Sequence, residues 1–140
     1  VVKLNVIYDE FNNYDDAHHK LKALFAGFQN NIFKLEETDF QVKGVSVETI
    51  NANISRLEYI GRHYEFRFST VRDDDTLMGK MSVFKETIEG NFRELGYVTF
   101  DTDATVNVPS PDSDIKRVSM DNTFCCCALV LNFIRDDIND

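Results

Sequence analysis

Phe11, Tyr14, His18, Leu21, Phe25, Phe28, Ile32 and Leu35 follow one another at alternating intervals of three and four residues. With 3.6 residues per turn, that spacing puts all eight on one helical face and predicts a long helix over 11–35. Asp9 or Asn13 is the expected cap, Asp15 and Asp16 favour the positive helix end, and Gly27 with Asn30 and Asn31 weakens the far end. Ahead of the stripe, Val2, Leu4 and Val6 alternate with Lys3, Asn5 and Ile7, which predicts a short opening strand or an extended arm.

After Thr38 the helical period gives way to alternation. Phe40 with Val42, Val45 with Val47 and Leu57 with Tyr59 read as strand faces, punctuated by Gly44 and Gly61. Tyr64, Phe66 and Phe68 alternate with His63, Glu65 and Arg67, the pattern of a half-buried strand whose second set is solvated. Arg72 to Asp75 reads as a turn, and Leu77, Gly79, Met81 and Val83 as the returning strand, with Lys80 and Ser82 outward. Further strands are expected at Tyr97 to Phe100 and Val106 to Val108, and a mobile loop at Ser110 to Asp114. From Phe124 to Ile134 only Asn132 is polar, which reads as a strand covered on both faces near the middle of the sheet, followed by a solvated acidic tail, Arg135 to Asp140. The fold expected is α+β, in one domain: a long N-terminal helix packed on an antiparallel sheet of about five or six strands.

Composition narrows the function classes. The 140 residues are 43% hydrophobic and carry a formal net charge of −9, with 8 Lys and Arg against 10 Asp and Glu in the first 70 and 7 against 14 in the last 70. Binding a phosphate backbone or an anionic membrane needs a concentrated basic surface, and the longest basic run is the pair Lys116-Arg117. Neither nucleic acid nor membrane is an expected partner; a basic protein or a cationic small molecule fits the charge better. No run reaches the roughly 18 apolar residues of a membrane span, and Val1 to Tyr8 lacks the basic flank and small-residue site of a signal peptide.

Cys125, Cys126 and Cys127 are consecutive. Neighbours on a strand point to opposite faces, and such a set reads as reduced and buried, which favours a cytoplasmic setting. No spaced ligands flank them, and neither a metal nor a cofactor is expected.

Tyr97 to Val106 ends an apolar strand in Asp101-Thr102-Asp103-Ala104-Thr105. It resembles the nucleophile loop of haloacid-dehalogenase-type phosphotransferases, a likeness that implies Asp101 as nucleophile, Asp103 as acid/base and magnesium as cofactor. That family opens with this motif and feeds a parallel sheet, whereas here 35 residues follow Thr105, without the later Lys and acidic pair that complete the site. Read as a calcium loop, the segment has Val106 where the sixth-position Gly belongs and Asp112 at the twelfth. A polar turn between strands is the expectation.

The 12 Phe and 5 Tyr invite a pocket between helix and sheet, with Phe25, Phe28, Tyr64, Phe66, Phe68 and Met81 as its walls and His18 at its edge. The same side chains serve equally as core, since Trp is absent. The function read from the sequence is a non-enzymatic binding or interaction module, homodimeric, for a protein partner or an apolar or cationic small molecule. The alternative is a small pocket enzyme using His18 with an acidic residue as acid/base. The three-four stripe is also a coiled-coil seam, so it can face its own sheet or a second copy.

Overall fold

The computed structural model describes residues 3–37, 40–107 and 118–140. Helix α1 runs Leu4–Asn31 and tightens into a single 3-10 turn, Ile32–Glu36. Seven strands follow among the described residues: β1 (Ser46–Asn51), β2 (Ile54–Tyr59), β3 (Arg62–Asp73), β4 (Thr76–Glu86), β5 (Phe92–Phe100), β6 (Thr105–Asn107) and β7 (Val118–Ser119). Helix α2, Thr123–Asn139, comes last. Each strand pairs antiparallel with the next, in the sheet order β1-β2-β3-β4-β5-β6-β7. The fold is α+β as expected, with more strands than five or six because β6 and β7 add short rungs at one edge.

Tight turns make the meander possible. Tyr59 pairs with Arg62, leaving Ile60 and Gly61 as a two-residue turn at φ 46° and 75°. Asp73 pairs with Thr76 around Asp74 and Asp75, with Asp74 at φ 52°. At Ile60 and Gly61, left-handed backbone at both central positions matches the twist of the flanking strands, a conformation Gly adopts freely and the β-branched Ile60 does not.

One face of the sheet holds Leu57, Tyr64, Phe66, Met81, Val83, Val98 and Phe100, all essentially inaccessible. Leu21, Phe25, Phe28, Ile32 and Leu35 cover it from the first helical segment, so the stripe is buried from Leu21 onward. Gln29 on the same helix donates from Nε2 to the Asn51 carbonyl at 2.9 Å, fixing α1 to the end of β1. Within the sheet, Gly79 pairs with Phe100, and a Cβ at Gly79 would lie 2.3 Å from the Phe100 ring.

The opening segment is helix, not strand or arm. Leu4, Ile7 and Phe11 continue the three-four spacing of the stripe upstream, and a helical period that joins an existing helix outweighs a two-residue alternation with no partner strand. Val1 and Val2 lie outside the described residues. Neither Asp9 nor Asn13 caps α1, which begins after Lys3 without a side-chain cap.

The Cys-rich segment is the second correction. It is the first part of α2, not a central strand: Asn122 accepts the Cys125 N–H at 3.0 Å and caps the helix. A run apolar at nearly every position has no period to read, and coverage of the sheet decides its form. Seven strands spaced about 4.8 Å apart span about 29 Å, between two and three times the roughly 10 to 12 Å width of one helix, so the core needs a second cover. Helix α2 supplies it with Cys126, Leu129, Val130 and Ile134. The acidic tail is likewise helical, and Asp137 within it is buried.

Two smaller corrections concern the sheet's other face. Ser82 stands on the outer face with Lys80, as expected, but is buried there and not solvated. Arg67 is only half-exposed: its guanidinium lies 4.0 Å from the Phe84 ring centre and pairs at 2.9 Å with Glu65, which also meets Arg56 at 2.6 Å. Glu65 is 5% exposed, and a carboxylate that deep on a sheet face needs both cations. Phe40 and Val42 precede the first strand and form none. The loop expected at Ser110 to Asp114, together with Val108, Lys116 and Arg117, lies outside the described residues.

Candidate functional site

The densest polar cluster described lies between sheet and α2. Arg62 and Tyr64 are two apart on β3 and therefore share a face, and Lys85 on β4 is the cross-strand partner of Tyr64. Asp137 descends on them from α2. Tyr64 donates to Asp137 Oδ2 at 2.6 Å, Arg62 Nη1 donates to the same oxygen at 2.8 Å, and Lys85 Nζ donates to Oδ1 at 3.1 Å.

Burial pushes the Asp137 carboxyl up, but the hydrogen bonds from Tyr64, Lys85 and Arg62 outweigh it and hold the group below the usual carboxylate range. Burial, then the bond to Asp137, raises the Tyr64 hydroxyl well above its ordinary value. The hydroxyl is therefore a committed donor, and both oxygens of the carboxylate are engaged. Such a group holds α2 against the sheet, and a carboxylate whose charge is stabilised by three donors is a weak base toward a substrate proton.

Phe25, Phe28, Tyr64, Phe66, Phe68 and Met81, the residues grouped as pocket walls, are brought together as packed core. Phe25 stacks on Phe28 and Phe68 at ring-centre distances of 5.6 and 5.3 Å, and Phe28 meets Phe66 at 5.9 Å. His18 lies at the rim of this stack, 6.2 Å from the Phe68 ring. The carboxylate near a histidine on α1 is Asp15, against His19 at 3.4 Å on the exposed side.

The Asp101 loop is a turn held by its own side chain. Asp101 Oδ1 accepts the N–H groups of Asp103 and Thr105, both at 3.0 Å, while Ala104 takes a left-handed φ of 70°. One oxygen of the carboxylate that the phosphotransferase resemblance would make nucleophilic is thus held by backbone donors. Among the described residues, no group of three or more His, Cys, Asp or Glu side chains is placed to hold a metal ion. The thiols are equally committed: Cys126 Sγ donates to the Met120 carbonyl at 3.2 Å, and burial pushes its pKa up to about 12. That thiol is not a ready nucleophile.

Apolar surface also lies outside the core. Upstream of His18, α1 presents Leu4, Tyr8 and Phe11, which are 63%, 63% and 64% exposed at spacings of four and three. Beside α2, an open groove of about 300 Å³ is lined by Val42, Val45, Tyr59, Leu131, Ile134 and Ile138, with Asn132 and Arg135 as its polar members. None of the predicted pocket walls lines it. The sequence carried a signal for Asp137, since Cys126, Val130, Ile134 and Asp137 follow at four, four and three, a stripe visible only if the segment is read as helix. Arg62 and Lys85 carried none, because their partner is distant in the chain. Comparison with protein families, with curated proteins and with solved structures finds no match for this chain.

Proposed function

We propose that this chain is a non-enzymatic interaction module that works as a homodimer. The observation that carries the reading is the exposure of Leu4, Tyr8 and Phe11 on α1. Large side chains at four-three spacing on one helical face are the anchors by which a helix enters an apolar groove, and leaving three of them in water is unfavourable by the area they expose. The aromatic cluster between α1 and the sheet is filled by its own rings, which favours a polypeptide partner over a small molecule. Three adjacent cysteines without a disulfide suit a reducing, cytoplasmic setting.

Size-exclusion chromatography with light scattering tests the reading. The expected mass is twice the 16.2 kDa chain, at low and high salt alike, because the contact is apolar. Leu4→Glu should lower the mass to that of one chain while the circular dichroism spectrum of the fold is kept, since Leu4 is largely exposed on the single chain. A wild-type protein that elutes as a monomer at every concentration overturns the proposal.

A further inference from the structure

We infer that the exposed segment of α1 seats in the α2 groove of a second copy, so that each protomer gives one helix end and receives the other's. The inference rests on the homodimer reading and names the surfaces that make it. Both halves of such a contact are present on one chain: Leu4, Tyr8 and Phe11 without cover, and a groove whose floor is Leu131, Ile134 and Ile138. At about 300 Å³ the groove is at the small end for a separate ligand, and suits a few large side chains inserted from outside.

Charge favours this seating over helix against helix. Residues 3–19 contain Asp9, Glu10, Asp15 and Asp16, with Lys3 the sole Lys or Arg. Pairing that segment with its own copy sets four carboxylates against four more, and like charges flanking a helix seam repel. In the groove the ionic side chain is Arg135, which is largely exposed and only loosely paired with Asp136 at 4.0 Å. An acidic apolar helix end and an apolar groove edged by arginine are complementary in both respects.

Reciprocity also doubles the contact. A two-fold contact uses the same pair of surfaces twice, so the area buried by one helix end is gained a second time. The turn Ile60-Gly61 follows Tyr59 at the groove, and Ile60 is exposed and held at a left-handed φ of 46°. It adds apolar surface where the incoming helix would lie.

Two single variants and their mixture, studied by sedimentation velocity at about 10 µM, test the arrangement. Phe11→Glu alters the helix end and Ile138→Glu the groove; both positions are exposed enough for the fold to persist, which thermal melting verifies. Each variant alone spoils both contacts and should weaken association about 30-fold or more. Mixed together, they form a heterodimer in which one contact carries both changes and the other carries neither, so dimer should reappear. If Ile138→Glu stays dimeric while Phe11→Glu is monomeric, the helices pair directly; the homodimer reading then stands and this inference falls. Two variants that both remain dimeric, or a mixture that stays monomeric, also overturn it. A monomeric wild-type protein removes the homodimer reading itself.

Discussion

The Tyr64 hydroxyl donates to the Asp137 carboxylate at 2.6 Å across 73 positions of sequence, and this bond ties the final helix to the longest strand. With Arg62 and Lys85 on the same carboxylate, it is the polar counterpart of the apolar contacts that Leu129, Val130 and Ile134 make along α2. Loss of the tie should therefore show first in α2.

Asp137→Asn should destabilise the protein by about 3 kcal/mol, because it leaves buried donors facing an amide that cannot balance two cations. Tyr64→Phe removes one hydrogen bond and should cost about 1 kcal/mol. Urea denaturation of both variants measures the difference. Equal effects would mean that the cations take no part.

The pH profile follows from the same group together with Glu65. Burial raises the Glu65 carboxyl and the bonds from Arg56 and Arg67 lower it by more, so Glu65 and Asp137 both sit below the ordinary carboxylate range. Carboxylates with depressed values in the folded state stabilise above their unfolded pKa, about 4, and lose that contribution as pH falls through the folded values. The melting temperature should hold level from about pH 7 to 5 and decline below about pH 4, less steeply in Asp137→Asn. A rise on acidification would contradict the assignment.

Gly79→Ala should cost about 2 kcal/mol, since the added methyl meets the Phe100 ring and the core around it has no slack. Phe100→Leu in the same chain should recover part of the loss by withdrawing the ring. Thermal melts of the single and double variants distinguish this overlap from a general intolerance of Ala in β4.

Ile60→Asn should stabilise by about 0.5 to 1 kcal/mol, because Asn tolerates left-handed backbone and Asn-Gly is the preferred pair for such a turn. The measurement is the denaturation midpoint. In a dimer it should be made on Phe11→Glu, so that any part Ile60 plays in association does not enter.

Phe66→Asp should abolish folding, placing a carboxylate in the centre of the core. Arg67→Asp should also destabilise, by about 1 to 2 kcal/mol, for it removes the ring contact with Phe84 and sets a second carboxylate beside Glu65. Circular dichroism and denaturation together read both. A neutral Arg67→Asp would show that Arg56 suffices for Glu65.

The long first helix, the α+β class and the inner face of the β3–β4 hairpin were legible in the order of residues alone. In each, a period repeats over enough residues to name a face: three-four spacing from Phe11 to Leu35, and alternation through Tyr64, Phe66 and Phe68 and again through Gly79, Met81 and Val83. That order also placed Phe25, Phe28, Phe66 and Phe68 in one cluster, because large apolar side chains on facing elements meet wherever the helix covers the sheet. The rest depended on how the elements pack. Phe124 to Ile134 has no period, and its helical form follows from the width of sheet left uncovered by α1. The partners of Asp137 and of Glu65 were not legible, since a charge pattern looks the same whether its members are solvated or paired across the fold. The exposure of Leu4, Tyr8 and Phe11 was hidden for the same reason: their spacing matches that of the buried stripe, and what separates them from Leu21 and Phe25 is where the sheet ends.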